Sequence, residues 1–249
     1  MTEKLSTENL QERFRAVEEN LEEIEHNVTV AAQKAGKTRT DITVLAATKT
    51  VPVEIINYSI EKGIAYIGEN KVQELMDKYD AYEKDKAQVH FIGHLQVNKI
   101  KYLVGRVQMI QSVDSMKLAK EISRLSQKRE VQTKILVEVN IGREENKSGV
   151  LPENLESLLE EISVLPNISI CGLMAIPPAN VKKEETLHYF SQMYEYFVDM
   201  SRKKLDNVSM DYLSMGMSAD YAEAIECGAN MVRIGSALYG ARDYSKKNV

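Results

Sequence analysis

The chain has 249 residues, 43% hydrophobic and 28% charged, with a formal net charge of −5 at pH 7; this is globular composition, with enough apolar content for one core in a single domain over residues 1–249. The acidic balance, without zinc-finger spacing, an aromatic RNA-binding motif or a long basic run, argues against nucleic acid as a partner. Two cysteines, Cys171 and Cys227, are too few and too far apart for a disulfide framework or a metal cluster, and no stretch approaches the roughly 18 apolar residues a membrane helix needs. The first four residues lack the apolar core of a signal peptide, so the chain is expected in the cytoplasm, and the sequons at Asn27, Asn167 and Asn207 are read as chance matches.

Apolar residues at Leu10, Phe14, Val17, Leu21, Ile24, Val28, Ala31 and Ala35 step by three and four, which predicts a long amphipathic helix over about residues 8–35, closed by Gly36. The same steps fit a heptad seam. Packing on the chain's own domain, as a monomer, is the favoured reading, and a coiled-coil dimer is the alternative. From Asp41 onward, short apolar runs alternate with helical patterns. Candidate strands cover 42–48, 64–67, 89–92, 109–112, 134–139, 168–174, 208–213 and 231–234. They are mostly without interior polar residues, which suits parallel strands covered on both faces. Candidate helices between them cover 53–61, 69–84, 97–104, 116–128, 152–164, 184–204 and 219–227. This alternation predicts an α/β fold, a single (β/α)8 TIM barrel over about residues 41–242 with an extra N-terminal helix; an open doubly wound sheet is the alternative.

In such a barrel, chemistry belongs at the C-terminal ends of the strands. Lys49 follows strand one, where an amine at the rim of an apolar interior would have its pKa lowered by desolvation and become nucleophilic; the bland reading is a solvated flank. Asn70 follows strand two, His94 follows strand three, and the loop from Asn140 to Gly149, with Glu144 and Lys147, follows strand five. Met174 ends strand six. Ser214, Gly216, Met217 and Ser218 follow strand seven, and Gly235 and Ser236 follow strand eight. Glycines and hydroxyls after strands seven and eight suit a phosphate site, although singly Ser218 reads as the cap of a helix starting at Ala219 and Gly235 as a tight turn. Lysine plus phosphate in one mouth fits either a sugar-phosphate carbonyl, as in class I aldolases, or the aldehyde of pyridoxal phosphate. Arg233 lies within strand eight, where a charge must reach the mouth or find a buried carboxylate. Opposite a cofactor's pyridine nitrogen it would keep that nitrogen unprotonated and weaken the ring as an electron sink. The four histidines, at 26, 90, 94 and 188, show no metal spacing, and no metal is expected.

Several motifs, in order, give the chain a resemblance over nearly its whole length. They are Ala47-Thr48-Lys49-Thr50, Gly68-Glu69-Asn70, His90-Phe91-Ile92-Gly93 with Leu95-Gln96 and Asn98-Lys99, and Asn140 with Glu144, Lys147 and Gly149. Gly172-Leu173-Met174-Ala175-Ile176-Pro177, Leu213 to Ser218, and Met231 to Ala237 running on to Gly240-Ala241-Arg242 complete the set. On these residues the chain resembles the pyridoxal-phosphate homeostasis proteins, the YggS/PROSC type. The resemblance implies a fold-type III barrel like the N-terminal domain of alanine racemase, with pyridoxal 5'-phosphate on Lys49 as an internal aldimine, and a role in storing the cofactor and delivering it to apo-enzymes rather than in catalysis. It also implies Ser214 to Ser218 and Gly235-Ser236 at the phosphate, Arg233 at the pyridine nitrogen, Asn70 at the ring, Met174 among the cofactor-binding residues, and Lys147, Lys246 and Lys247 in cofactor handling. One departure is Val51, where many bacterial members carry a second lysine.

No residues are left after strand eight for the second domain that racemases of this class add, which favours a carrier. The enzyme alternative, a racemase, decarboxylase or aldolase using Lys49, needs a general base, for which His94 and Tyr239 are the nominees. A helix-mediated scaffold is the third reading.

Overall fold

The computed structural model of the protein describes residues 7–240. Eight parallel strands close into one barrel in sequence order: β1 Thr43–Ala47, β2 Tyr66–Glu69, β3 Gln88–Phe91, β4 Met109–Val113, β5 Thr133–Val139, β6 Ile168–Ala175, β7 Val208–Met217 and β8 Met231–Ile234. The open-sheet alternative is thereby excluded, because β1 pairs with β8 through Thr43–Met231 to Ala46–Ile234 as well as with β2. The helices are α1 Thr7–Lys34, α2 Val53–Glu61, α3 Val72–Lys78, α4 Met116–Lys128, α5 Leu155–Ser163, α6 Lys183–Ser201, α7 Tyr221–Glu226 and α8 Ser236–Tyr239.

Side chains alternate between two cores, as the strand period requires. The outer core lies between sheet and helices, joining Val44, Ala46, Ile67, Phe91 and Ile110 to Ile55, Leu75, Ile122 and Leu159. The barrel interior holds two smaller clusters, Leu45 with Ile92 and Met231, and Met109 with Leu136, Cys171 and Met174. The long first helix belongs to the outer core. Val17, Ile24, Val28, Ala31 and Ala32 are buried, and the helix packs on α7, α8 and α2. Phe14 stacks on Tyr58 of α2 with ring centroids 3.9 Å apart, and Asn20 donates to Leu238 O at 3.0 Å. The apolar stripe is thus covered by the chain's own barrel.

Of the boundaries that depart from the sequence pattern, three bear on the strand ends and the loops that follow them. The helix expected over 69–84 begins only at Val72, because β2 runs on through Glu69, whose side chain is fully buried, and a 3-10 turn, Tyr79–Ala81, follows Lys78. The helix expected over 97–104 is a 3-10 helix, Val97–Tyr102, with Ile100 its buried residue. The strand expected to stop at Leu213 continues to Met217. A register shift between Ser214 and Met217 absorbs the extra residue, with Gly216 at φ +89°; a Cβ there would approach Ala224 Cβ to 2.5 Å. No helix of the described residues is long and apolar enough to cross a membrane.

Candidate functional site

Register brings the rim residues together. Ala47 pairs with Gly68 and Ala46 with Ile234, so the segment leading to Lys49 runs between Glu69-Asn70 on one side and Gly235-Ser236 on the other. Gly235 abuts β1 directly, since a Cβ on it would sit 3.4 Å from Ala47 O. Lys49 is half-buried and lies in a turn closed by Val51 N donating to Thr48 O at 3.0 Å. Thr50, the next residue, adopts φ +66°. Asn70 is held by close backbone approach, because a Cβ on Gly93 would stand 2.0 Å from Asn70 O. Asn70 Oδ1 is buried without a hydrogen-bond partner among the described residues.

The loops after β7 and β8 are joined by one hydroxyl. Ser218 Oγ accepts from Gly235 N at 3.0 Å and from Ala237 N at 3.1 Å. Ser218 is therefore not the cap of the following helix, as its sequence position suggests; that helix starts at Tyr221 after Asp220, whose carboxylate accepts from Met217 N at 2.6 Å. With two N–H groups directed at it, the Ser218 oxygen keeps its own O–H free to donate elsewhere. Ser236 is exposed at the same rim, and so is Met217.

Ser214 and Met174 sit deeper than expected. Ser214 is fully buried, donating to Gln111 Oε1 at 2.8 Å and accepting from Arg233 Nη1 at 2.7 Å. Its hydroxyl is thus committed to the barrel interior, below the rim at which the resemblance sets the phosphate. Met174, also fully buried, is packed with Met109, Leu136 and Cys171 in the barrel interior rather than presented at the rim.

Arg233 is buried, with Nη2 donating to Ala175 O at 3.0 Å. The carboxylate partner that its place in a strand suggested is not what it bonds, for its hydrogen bonds run to neutral oxygens. Burial pulls its pKa down to about 10, against the opposing charges of Glu138 and Asp220. The network continues inward, with Gln111 Nε2 donating to His90 Nδ1 at 2.9 Å. An amide can only donate there, so His90 carries its proton on Nε2, an atom buried without a partner among the described residues. Burial, helped by Lys134, pushes His90 down to about 3. Glu138 is raised to about 7, first by burial and then by Asp114, with Arg233 opposing.

Gln111 and Glu138 are the interior residues that motif reading missed, and His90, although part of a quoted motif, was given no role in the site. The available signal was strand parity. Glu138 shares the parity of Leu136, and Gln111 that of Met109, both interior residues, so each polar side chain was due to point inward.

Around the rest of the mouth, His94 Nδ1 bonds Ser148 Oγ at 2.7 Å, tying the β3 loop to the β5 loop. Lys147 pairs with Glu144 at 2.5 Å as an exposed ion pair. Tyr239, nominated as a base, directs its hydroxyl to Ser59 of α2 at 2.8 Å, behind β1 and away from the interior, and burial raises its pKa. Lys246 and Lys247 lie outside the described residues. Among the described residues no group of three or more His, Cys, Asp or Glu side chains is arranged to hold a metal ion.

The family described as "Alanine racemase, N-terminal domain" matches residues 20–243. A pyridoxal phosphate homeostasis protein of Aquifex aeolicus is 42% identical over 226 residues, 91% of this chain and 98% of its own. A solved structure of an unknown protein from Bifidobacterium adolescentis superposes with a TM-score of 0.86 at 31% identity, covering 91% of this chain and 96% of that one. PipY of Synechococcus elongatus, solved with PLP bound, superposes with a TM-score of 0.74 at 29% identity, covering 84% of this chain and 100% of that one.

Proposed function

The chain belongs to the alanine racemase N-terminal-domain family and, within it, to the pyridoxal phosphate homeostasis proteins, and from that membership we propose that it binds pyridoxal 5'-phosphate on Lys49, stores it reversibly and delivers it to apo-enzymes without turnover of its own. The observation that carries this reading is the meeting of a half-buried lysine with the Ser218, Gly235 and Ala237 cradle on one rim. The cofactor supplies an aldehyde that forms a reversible Schiff base with an amine, and a phosphate that seeks N–H and O–H donors. The residues fit both ends. Lys49 would provide the amine, and the Ser218 hydroxyl and Ser236, with the Gly216–Met217 and Gly235 segments beside them, would border the phosphate; the Gly235 and Met217 amides would have to exchange Ser218 and Asp220 for it. The buried Asn70 Oδ1, unpartnered among the described residues, offers an acceptor along the ring.

Arg233 supports a carrier over a catalyst. Held by Ser214 and Ala175 O, it would offer a donor to the pyridine nitrogen of a bound cofactor; that nitrogen would then stay unprotonated and the ring would be a weaker electron sink. Neither nominated base favours turnover: Tyr239 is turned to Ser59, and His94 is exposed and bonded to Ser148. Ser214 and Met174 act from below, the first by orienting Arg233 and the second as apolar floor. Lys147, paired with Glu144 on the β5 loop, takes part in cofactor handling, as do Lys246 and Lys247. The chain works as a monomer with α1 covering its own barrel.

The test loads the protein with pyridoxal phosphate, incubates it with each amino acid in deuterated water and follows exchange at the α-carbon. Exchange no faster than with free cofactor, together with reactivation of a pyridoxal-phosphate-dependent apo-enzyme by the loaded protein, supports the carrier. Turnover above free cofactor supports the racemase- or decarboxylase-like alternative instead.

A further inference from the structure

Beneath the Lys49 turn lies a charged cluster that the cofactor reading does not use. Glu69, fully buried at the end of β2, accepts through Oε1 from Thr48 Oγ1 at 2.8 Å, Tyr82 OH at 3.0 Å and Lys78 Nζ at 3.1 Å. Lys78, at the end of α3, also donates to Glu74 Oε1 at 2.7 Å and to Thr48 O at 3.2 Å. Glu74 in turn accepts from Thr50 N at 2.5 Å. Both residues that flank Lys49 in the chain are therefore bound by one carboxylate each, and one ammonium group bridges the two carboxylates.

The conformation held this way is a disfavoured one. Thr50 stands at φ +66°, in the left-handed region that a β-branched residue seldom enters, because its Cβ crowds the backbone there. Such a residue persists only where its surroundings over-determine it. Here Thr50 N is bound to Glu74, Thr50 Oγ1 donates to Lys49 O at 2.6 Å, and Val51 N closes the turn on Thr48 O. A left-handed residue immediately after Lys49 folds the chain back so that Val51 N reaches Thr48 O, and the turn that carries Lys49 is closed across it.

We propose that Glu69, Lys78 and Glu74 form a clamp that holds the Thr48–Val51 turn in its left-handed bend and so positions the Lys49 amine for the cofactor. Glu74 and Lys78 act through the backbone and are positioning residues. The inference rests on the reading of Lys49 as the cofactor lysine, but its structural half stands apart from it.

Two measurements separate the two halves. In the cofactor-free protein, hydrogen exchange of the Thr50 amide reads the clamp directly. Glu74→Ala, which keeps the Lys78–Glu69 pair, is expected to speed that exchange roughly tenfold while leaving the outer core amides unchanged. In the cofactor-mixed protein, the rate of borohydride-trapped pyridoxyl adduct on Lys49 is expected to fall by a similar factor. Thr50→Gly, which removes the Cβ that disfavours the bend, is then expected to restore trapping in the Glu74→Ala background. Lys78→Met is the stronger variant, and Glu74→Ala keeps the test alive if it fails to fold. Unchanged Thr50 exchange in Glu74→Ala overturns the clamp. Faster exchange with unchanged trapping, or a trapping defect that Thr50→Gly leaves in place, overturns its role in positioning Lys49. If wild-type protein traps no adduct, the cofactor reading fails, and the exchange arm still decides the clamp.

Discussion

The Arg233 guanidinium donates to the Ser214 hydroxyl at 2.7 Å inside the barrel, and that hydroxyl donates onward to Gln111 at 2.8 Å. A buried charge is thus oriented by neutral groups, and the serine serves as both acceptor and donor. Replacing Ser214 by Ala leaves a buried donor and a buried acceptor without that partner. The expected loss is about 1–3 kcal/mol of stability, read by denaturant titration, with weaker cofactor binding because Arg233 is freed to rotate. Unchanged stability would mean that water replaces the hydroxyl at no cost.

His90 and Glu138 give the fold opposing pH dependences. His90, held near 3 against an ordinary 6.5, takes up its proton more readily when unfolded, so its contribution to stability is full above 6.5 and declines as pH falls toward 3. Glu138, raised to about 7 from 4.5, is protonated more readily when folded, so its contribution is full below 4.5 and declines as pH rises to 7. Between pH 4.5 and 6.5 the two slopes, each about 1.4 kcal/mol per pH unit at most, offset one another. In that window Glu138→Gln is expected to make stability rise with pH, and His90→Gln to make it fall. Urea denaturation across the range checks both signs.

Much of this chemistry was legible before the fold. The eight strands and the N-terminal helix follow from hydrophobic period, and the place of Lys49 just beyond β1 from the apolar run that ends before it. What escaped was governed by tertiary pairing. Ser214 looked like loop because Gly216 follows two residues later, yet a register shift keeps that segment in β7. Ser218 looked like a helix cap because Ala219 opens a helical pattern, whereas its acceptor role is set by amides 17 and 19 residues further on. The interior line of His90, Gln111, Ser214 and Arg233 joins four strands, and no local window contains it.

Ser218 makes the cradle's most direct test. Ser218→Ala removes the acceptor of two rim amides and the hydroxyl proposed to face the phosphate. Cofactor affinity is expected to drop about 10- to 100-fold in an absorbance titration, in keeping with about 1–3 kcal/mol for lost hydrogen bonds of this kind. An unchanged affinity would place the phosphate elsewhere.

Covering by α1 predicts a stability effect without an assembly effect. Ile24→Ala is expected to cost about 2–4 kcal/mol, because that side chain is 2% exposed. Sedimentation mass should stay that of a monomer in wild type and variant alike. A wild-type dimer that dissociates in the variant would favour the scaffold reading.

The central claim is covalent and is best tested covalently. Purified protein is loaded with pyridoxal 5'-phosphate, reduced with borohydride, digested and mapped by peptide mass. A pyridoxyl adduct on Lys49, lost in Lys49→Ala, is expected. An adduct confined to other lysines, or none above that of a denatured control, would contradict it.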